Sequence, residues 1–402
     1  RKMTQDTMAL RPAPLAPPAC EKLKGEPTEE DETTIGSSKS SQSVSPVSIR
    51  WVTNFNEMYV LGKDVMTSGH DYMKIRFAER LSDGVEVVIK IQSKPCFKND
   101  KDEKQWRECT EYLMNMPEAA GVLKLFEVLE DSKAFYIVME KVDGMDLHQL
   151  LEECLIPVYQ AKEILVELLT AMAHLHAQGA VHKDLKLENV MVSMTPRNSE
   201  RSLTRSTSGG SNHSALSSKH SLKVIDFDTL EKWTPTTPPA KRGTPVVGTN
   251  QYIAQEAYAG KYSPASDVFA IGVIAYMLLT SKWPFPDKIF DDEAGENWVG
   301  SAKMHRIRCR MKKVDISFSH PIFREYPEAK DLIRRMLSSN EQDRPTAAGA
   351  LEHKFFDDVA KGDLYTGNSD MFPPLEQKSD TIVEDVPGAI ARGPFSWWCG
   401  CT

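Results

Sequence analysis

No apolar run in this chain is long enough to cross a bilayer. The most continuous one, Val268 to Leu279, falls short of the roughly 20 residues a span needs and reads as a buried core helix. Seven cysteines in 402 residues, an odd number without framework spacing, exclude a disulfide-stapled scaffold and fit reduced thiols; a zinc-type array is also missing. Positive charge is in deficit. With 49 Lys and Arg against 57 Asp and Glu the net charge is -8, which argues against nucleic acid as the main partner. No EF-hand loop pattern occurs, so direct calcium binding is not expected. The first residues lack the apolar core of a signal peptide, so a cytoplasmic address is expected, with the nucleus as the alternative. Opening on Arg1, the sequence reads as starting at Met3 or as a fragment.

What is present is a hydrophobic content of 41%, enough for one large or two smaller cores, framed by segments of a different character. Residues 1–50 are rich in Pro, Ser, Thr and Glu, as in Ala13-Pro14-Leu15-Ala16-Pro17-Pro18, and bury too little apolar surface to offset ordering entropy; a disordered tail is expected. Residues 193–221 form a low-complexity insert with ten serines and Arg197, Arg201 and Arg205. Its Arg201-Ser202-Leu203-Thr204-Arg205-Ser206 run reads as a phosphorylation target. Residues 287–300 make an acidic loop, and residues 358–402 an irregular tail ending in Trp397-Trp398-Cys399-Gly400-Cys401-Thr402. Cys399 has the spacing of a prenylation box, but Gly400 and Thr402 fit it poorly, so membrane attachment through this tail is not the expectation.

Between the tails one stretch carries chemistry: His182-Lys183-Asp184-Leu185-Lys186-Leu187-Glu188-Asn189, followed after the insert by Val224-Ile225-Asp226-Phe227-Asp228. Two carboxylates, a lysine and an amide at this spacing suit phosphoryl transfer, in which the protein holds phosphate charge and aligns a hydroxyl. Asp184 is placed to accept that hydroxyl's proton, Lys186 to neutralise phosphate charge, and Asn189 with Asp226 to hold Mg²⁺. The first segment resembles the protein kinase catalytic loop H-R-D-L-x-x-x-N and the second the metal-binding D-F-G, each with one substitution.

The flanking chain extends the resemblance from about Tyr59 to Phe356. Alternating apolar residues, Met73, Ile75 and Phe77 and then Val85, Val87, Ile89 and Ile91 about a Ser82-Asp83-Gly84 turn, predict strands. Val87-Val88-Ile89-Lys90 is similar to V-A-I-K, which implies that Lys90 contacts the ATP α- and β-phosphates. A helix between Asp100 and Met116 would supply the glutamate that pairs with this lysine; Glu108 is the best match, with Glu111 as the alternative. Phe135 to Gly144 resembles the hinge, implying adenine recognition by backbone groups of Glu140 and Val142, with Met139 as gatekeeper and Asp146 on the ribose. Gly248-Thr249 through Glu256 is similar to G-T-x-x-Y-x-A-P-E, with Gln255 for proline; Thr249 and Lys186 together point to the Ser/Thr type. The resemblance implies a Glu256–Arg344 bridge and an Asp267 that braces the catalytic loop.

The implied architecture is an α+β bilobal protein kinase fold. Its expected domain spans 51–357, with a small β-rich lobe at 51–141 and a larger, mainly helical lobe at 142–357. The implied activity is ATP- and Mg²⁺-dependent transfer to Ser/Thr of protein substrates, in a chain similar to the calcium- and calmodulin-dependent group and, by its His-Lys-Asp and Asp-Phe-Asp motifs, to divergent protist kinases. Three departures matter. Met66 to Met73 has no G-x-G-x-x-G, so a pseudokinase scaffold or allosteric binder is the alternative. Lys183 replaces an arginine that would clamp activation-segment phosphate bidentately, implying weaker dependence on that phosphate. Asp228 replaces a glycine and adds negative charge beside the metal site.

Overall fold

The computed structural model describes residues 46–66, 72–97, 99–193, 221–290 and 296–360. The expectations for the N-terminal tail up to residue 45, the phosphate-binding loop at 67–71, the serine-rich insert at 194–220, the acidic residues 291–295 and the Trp/Cys end all lie outside these residues.

The small lobe is one sheet of β1 (Arg50–Trp51), β2 (Tyr59–Met66), β3 (Met73–Arg80), β4 (Glu86–Ser93), β5 (Leu125–Glu130) and β6 (Ala134–Glu140), ordered β1-β5-β6-β4-β3-β2. All neighbours are antiparallel except β1 on β5. The alternation in β4 does the sorting. Val87 and Ile89 are buried with Phe55, Tyr59, Leu129 and Val138 on one face, which turns Val88 and Lys90 to the opposite face and into the interlobe cleft. Gly84 takes φ +70 at the β3–β4 turn, where Asp83 Oδ1 accepts from Val85 N.

Helix α1 (Asp100–Met114) begins where Asn99 caps the amides of Lys101 and Asp102, with Asp100, Asp102 and Glu103 in its first turn beside the positive end of the helix dipole. Arg107 ties it to the sheet: its guanidinium reaches Glu130 of β5 at 2.8 Å and Glu103 at 2.7 Å. Residues 46–50, expected as tail, are docked instead. Val47 exchanges hydrogen bonds with the Asn115 side chain at 2.8 and 2.7 Å, Ile49 N donates to Glu111 Oε1, and Arg50 and Trp51 run beside β5. Composition hides this, because the added strand is held by backbone groups that any sequence supplies.

The large lobe follows through β7 (Met145–Asp146), α2 (Leu147–Glu153), α3 (Val158–Ala177), β8 (Ala180–Val181), β9 (Val190–Ser193), β10 (Ser221–Val224), β11 (Glu231–Lys232) and α4 (Pro264–Thr280). It closes with α5 (Ala302–Met311), α6 (Ile322–Glu325), α7 (Pro327–Met336), α8 (Ala347–Leu351) and α9 (Asp357–Ala360). Helix α4 is buried nearly all round, as its unbroken apolar run requires, and packs between α3 and α7. Helix α3 stops at Gln178, and Gly179 in the left-handed region at φ +74 turns the chain into the catalytic loop. The two flanks of the insert pair with each other, β9 with β10, from Ser193 opposite Ser221 to Val190 opposite Val224.

Candidate active site

The loop after β8 is fixed from below by one carboxylate. Asp267, 2% exposed at the start of α4, accepts from His182 N at 2.9 Å and Lys183 N at 3.0 Å, with His176 Nε2 also on it at 3.0 Å. This is the bracing role expected of Asp267. Lys183 sits at φ +71, a conformation unfavourable for a residue with a Cβ and held here by those two hydrogen bonds. Its side chain reaches Glu231 Oε2 on β11 at 2.8 Å.

The loop then presents its functional groups close together. Lys186 Nζ is 3.1 Å from Asp184 Oδ2, and Thr249 Oγ1 donates to Asp184 Oδ1 at 2.9 Å, so the carboxylate is oriented from both sides. Burial works against the Lys186 ammonium, but the carboxylates of Asp184 and Glu188 outweigh it and hold its pKa above the usual lysine value. Asn189 Nδ2 donates to Asp184 O at 2.8 Å, which aims the amide, and Ile225 N donates to Asn189 O at 2.9 Å, which docks the metal segment against the loop. Gly248 passes so close that a Cβ there would lie 2.8 Å from Lys183 O.

Across the cleft, the Lys90 side chain from β4 is buried and its Nζ lies 3.6 Å from Asp226 Oδ1. Asp226 Oδ1 is itself buried without a hydrogen-bond partner. Burial first, and Asp228 second, push the Asp226 carboxyl up to about 7. A divalent cation would reverse both effects, so the donor chemistry fits a metal: an orphaned buried carboxylate oxygen beside an oriented amide. Among the described residues no three His, Cys, Asp or Glu cluster around a metal site. The Asn189 amide and the Asp226 carboxylate are the groups that would hold such a metal.

Lys90, Asp226, Met139, Glu140, Val142 and Asp146 all line one cavity of about 590 Å³ between the lobes. Glu140 is held by Lys124 N and by Lys223 Nζ, each at 2.7 Å from Oε1. Burial raises the pKa of Asp146, which also caps α2 through Gln149 N at 2.8 Å.

One expected residue is not in the site. Glu108 is exposed on α1, and Glu111, its alternative, accepts from Ile49 N. Among the described residues, the salt bridges of Lys90 go to Asp226 and to Asp228. The helix turns Trp106, Cys109, Thr110 and Leu113 to the cleft. Glu108 immediately precedes Cys109, and at about 100° per residue it lies roughly opposite the middle of that stripe, on the side away from the cleft. The stripe Trp106, Thr110, Leu113 at i, i+4, i+7 is the signal in the sequence that marks the cleft-facing side.

The bridge from the lobe's base to the activation segment is present: Arg344 grips Glu256 with both terminal guanidinium nitrogens, at 2.7 and 2.9 Å, and the pair is buried. Gln255 donates from Nε2 to Ser339 O beside it.

The family described as "Protein kinase domain" matches residues 71–356. The chain belongs to this family. Its bilobal α+β fold, a β-rich lobe followed by a helical one, is the kinase fold. Over 322 residues it is 30% identical to "CDPK-related kinase 4" of Arabidopsis thaliana, covering 77% of this chain and 46% of that protein. It is 29% identical to "Serine/threonine-protein kinase pkn3" of Myxococcus xanthus (80% of this chain, 53% of that protein) and 25% identical to "Calcium-dependent protein kinase 4" of Plasmodium berghei (75% and 50%). The kinase chain thus spans about half the length of these curated relatives.

Proposed function

We propose that this kinase transfers the γ-phosphoryl group of ATP to Ser or Thr hydroxyls of protein substrates. The observation that carries the reading is the meeting of the two lobes: Lys90 from β4 and Asp226 from the segment after β10, far apart in sequence, lie 3.6 Å apart in one cavity. Lys90 takes the α- and β-phosphates, Glu140 and Val142 the adenine, and Asp146 the ribose. Asn189 and Asp226 would hold Mg²⁺, which when bound neutralises charge on the phosphates. The substrate hydroxyl oxygen forms a bond to the γ-phosphorus as the bond from that phosphorus to the β–γ bridging oxygen breaks; ADP leaves with the electron pair, and the hydroxyl proton passes to Asp184. Lys186 and Thr249 hold Asp184 for that transfer, and the Lys186 ammonium brings positive charge to the phosphate.

The second reading, a scaffold that binds nucleotide without transferring phosphate, is favoured by the absence of a G-x-G-x-x-G pattern between Met66 and Met73. Thermal shift with ATP, with and without Mg²⁺, followed by radiolabel transfer to a Ser/Thr peptide library, separates the two. A ligand at 100 times its Kd raises stability by about 2.7 kcal/mol. A Mg²⁺-dependent shift with label transferred supports the kinase; a shift without transfer, with Asp184→Asn indistinguishable from wild type, overturns it.

A further inference from the structure

A cleft lysine that contacts phosphates needs a fixed anion to hold its flexible four-carbon stem. Helix α1 was expected to provide one and does not: Glu108 is exposed, Glu111 is engaged with the backbone of Ile49, and the buried side chain α1 offers to the cleft near its middle is Thr110. Among the described residues, an anion comes from the other lobe. Asp228 Oδ2 accepts directly from Lys90 Nζ, while Asp226 stands at 3.6 Å. Asp228 is not among the residues with positive φ, so nothing in the backbone calls for glycine there and the carboxylate is carried without strain.

We propose that Asp228 is the positioning residue for Lys90, taking over the task of a helix-borne carboxylate. The inference rests on the kinase reading above and specifies how its lysine is held. One short segment, Asp226-Phe227-Asp228, then sets both the metal ligand and the phosphate-binding lysine, and the two become correct or incorrect together. Helix α1 is released from that task. It is fixed by contacts of its own, Arg107 on Glu130 and Asn115 on Val47, so its position does not govern Lys90.

The test moves the carboxylate back. In the full chain, Asp228→Asn removes the anion with little change of shape, and Thr110→Glu combined with Asp228→Asn offers one from the helix. The direct readout is the acylation rate of Lys90 by an amine-reactive ester, read by mass spectrometry against the exposed Lys104 of the same sample. An ammonium locked in an ion pair reacts slowly, so Asp228→Asn speeds Lys90 acylation roughly tenfold, the worth of a charge-assisted hydrogen bond. The double variant returns it towards the wild-type rate. In peptide phosphorylation the same change raises KM for ATP more than it lowers kcat, and the double variant reverses the rise. Should the double variant not fold, Asp228→Glu serves as the rescuing variant. Unchanged Lys90 reactivity in Asp228→Asn overturns the proposal, and so does a rise in kcat/KM, which would make Asp228 a block on the lysine. Because acylation needs no turnover, a wild type that shows the expected reactivities but transfers no phosphate would sink the kinase reading and leave this assignment standing.

Discussion

Lys183 Nζ lies 2.8 Å from Glu231 Oε2, so the cation in the catalytic loop is already neutralised by an acid of β11. An arginine at this position would offer a planar fork to a phosphate; a lysine satisfied by a carboxylate offers little to one. The prediction is that phosphatase treatment leaves peptide phosphorylation largely unchanged, because Lys183 is already paired with Glu231 and offers a phosphate only a point charge. Complete loss of activity on dephosphorylation refutes it.

Asp184→Asn keeps the shape of the side chain and the hydrogen bond from Thr249 but cannot take the proton. A positioned general base contributes about 10² to 10⁴ in rate, so kcat falls by that range while the melting temperature and ATP affinity hold. An unchanged kcat in Asp184→Asn removes the proposed base.

Glu256 and Arg344 form a buried two-pronged pair whose loss leaves one charge stranded. Removing a single partner of such a pair costs about 3–5 kcal/mol, so Glu256→Gln and Arg344→Met each lower the urea midpoint strongly. Exchanging both for apolar residues of similar volume recovers much of the loss. A double variant as unstable as the singles contradicts the stranded-charge account.

Acid should loosen the small lobe through Glu130. The Arg107 guanidinium above all, opposed by burial and aided by Lys94, holds the Glu130 carboxyl below its ordinary value of 4.5. A depressed folded value means stability that is present above the unfolded value and is lost as pH falls through the folded one. The stability gap between wild type and Glu130→Gln is therefore full at neutral pH and closes as pH drops below about 4.5. Urea titrations at several pH values measure it; a gap independent of pH would place the stabilisation elsewhere.

Much of this protein is legible in its sequence. Asp184, Lys186 and Asn189 sit within six residues, and a short loop between two strands leaves them few ways to be arranged, so spacing alone sufficed to group them. Asp226 follows a strand that pairs with the one after Asn189, which fixes its place as well. The alternation in β4 determined that Lys90 and Val88 share a face, because the side-chain period of a strand admits no other outcome.

The partner of that lysine was not so determined. Glu108, Thr110 and Glu111 lie within one turn of α1, and which of them meets the cleft depends on the helix's rotation about its axis. That rotation is set by Arg107 on Glu130 and by residues 47–49 against the helix end, contacts between parts of the chain far apart in sequence. Composition and motif spacing specify which groups a chain carries and on which local face they lie. The choice of Asp228 for Lys90 emerges only when two lobes close on one another, because a salt bridge across 138 positions is a property of packing and not of order along the chain.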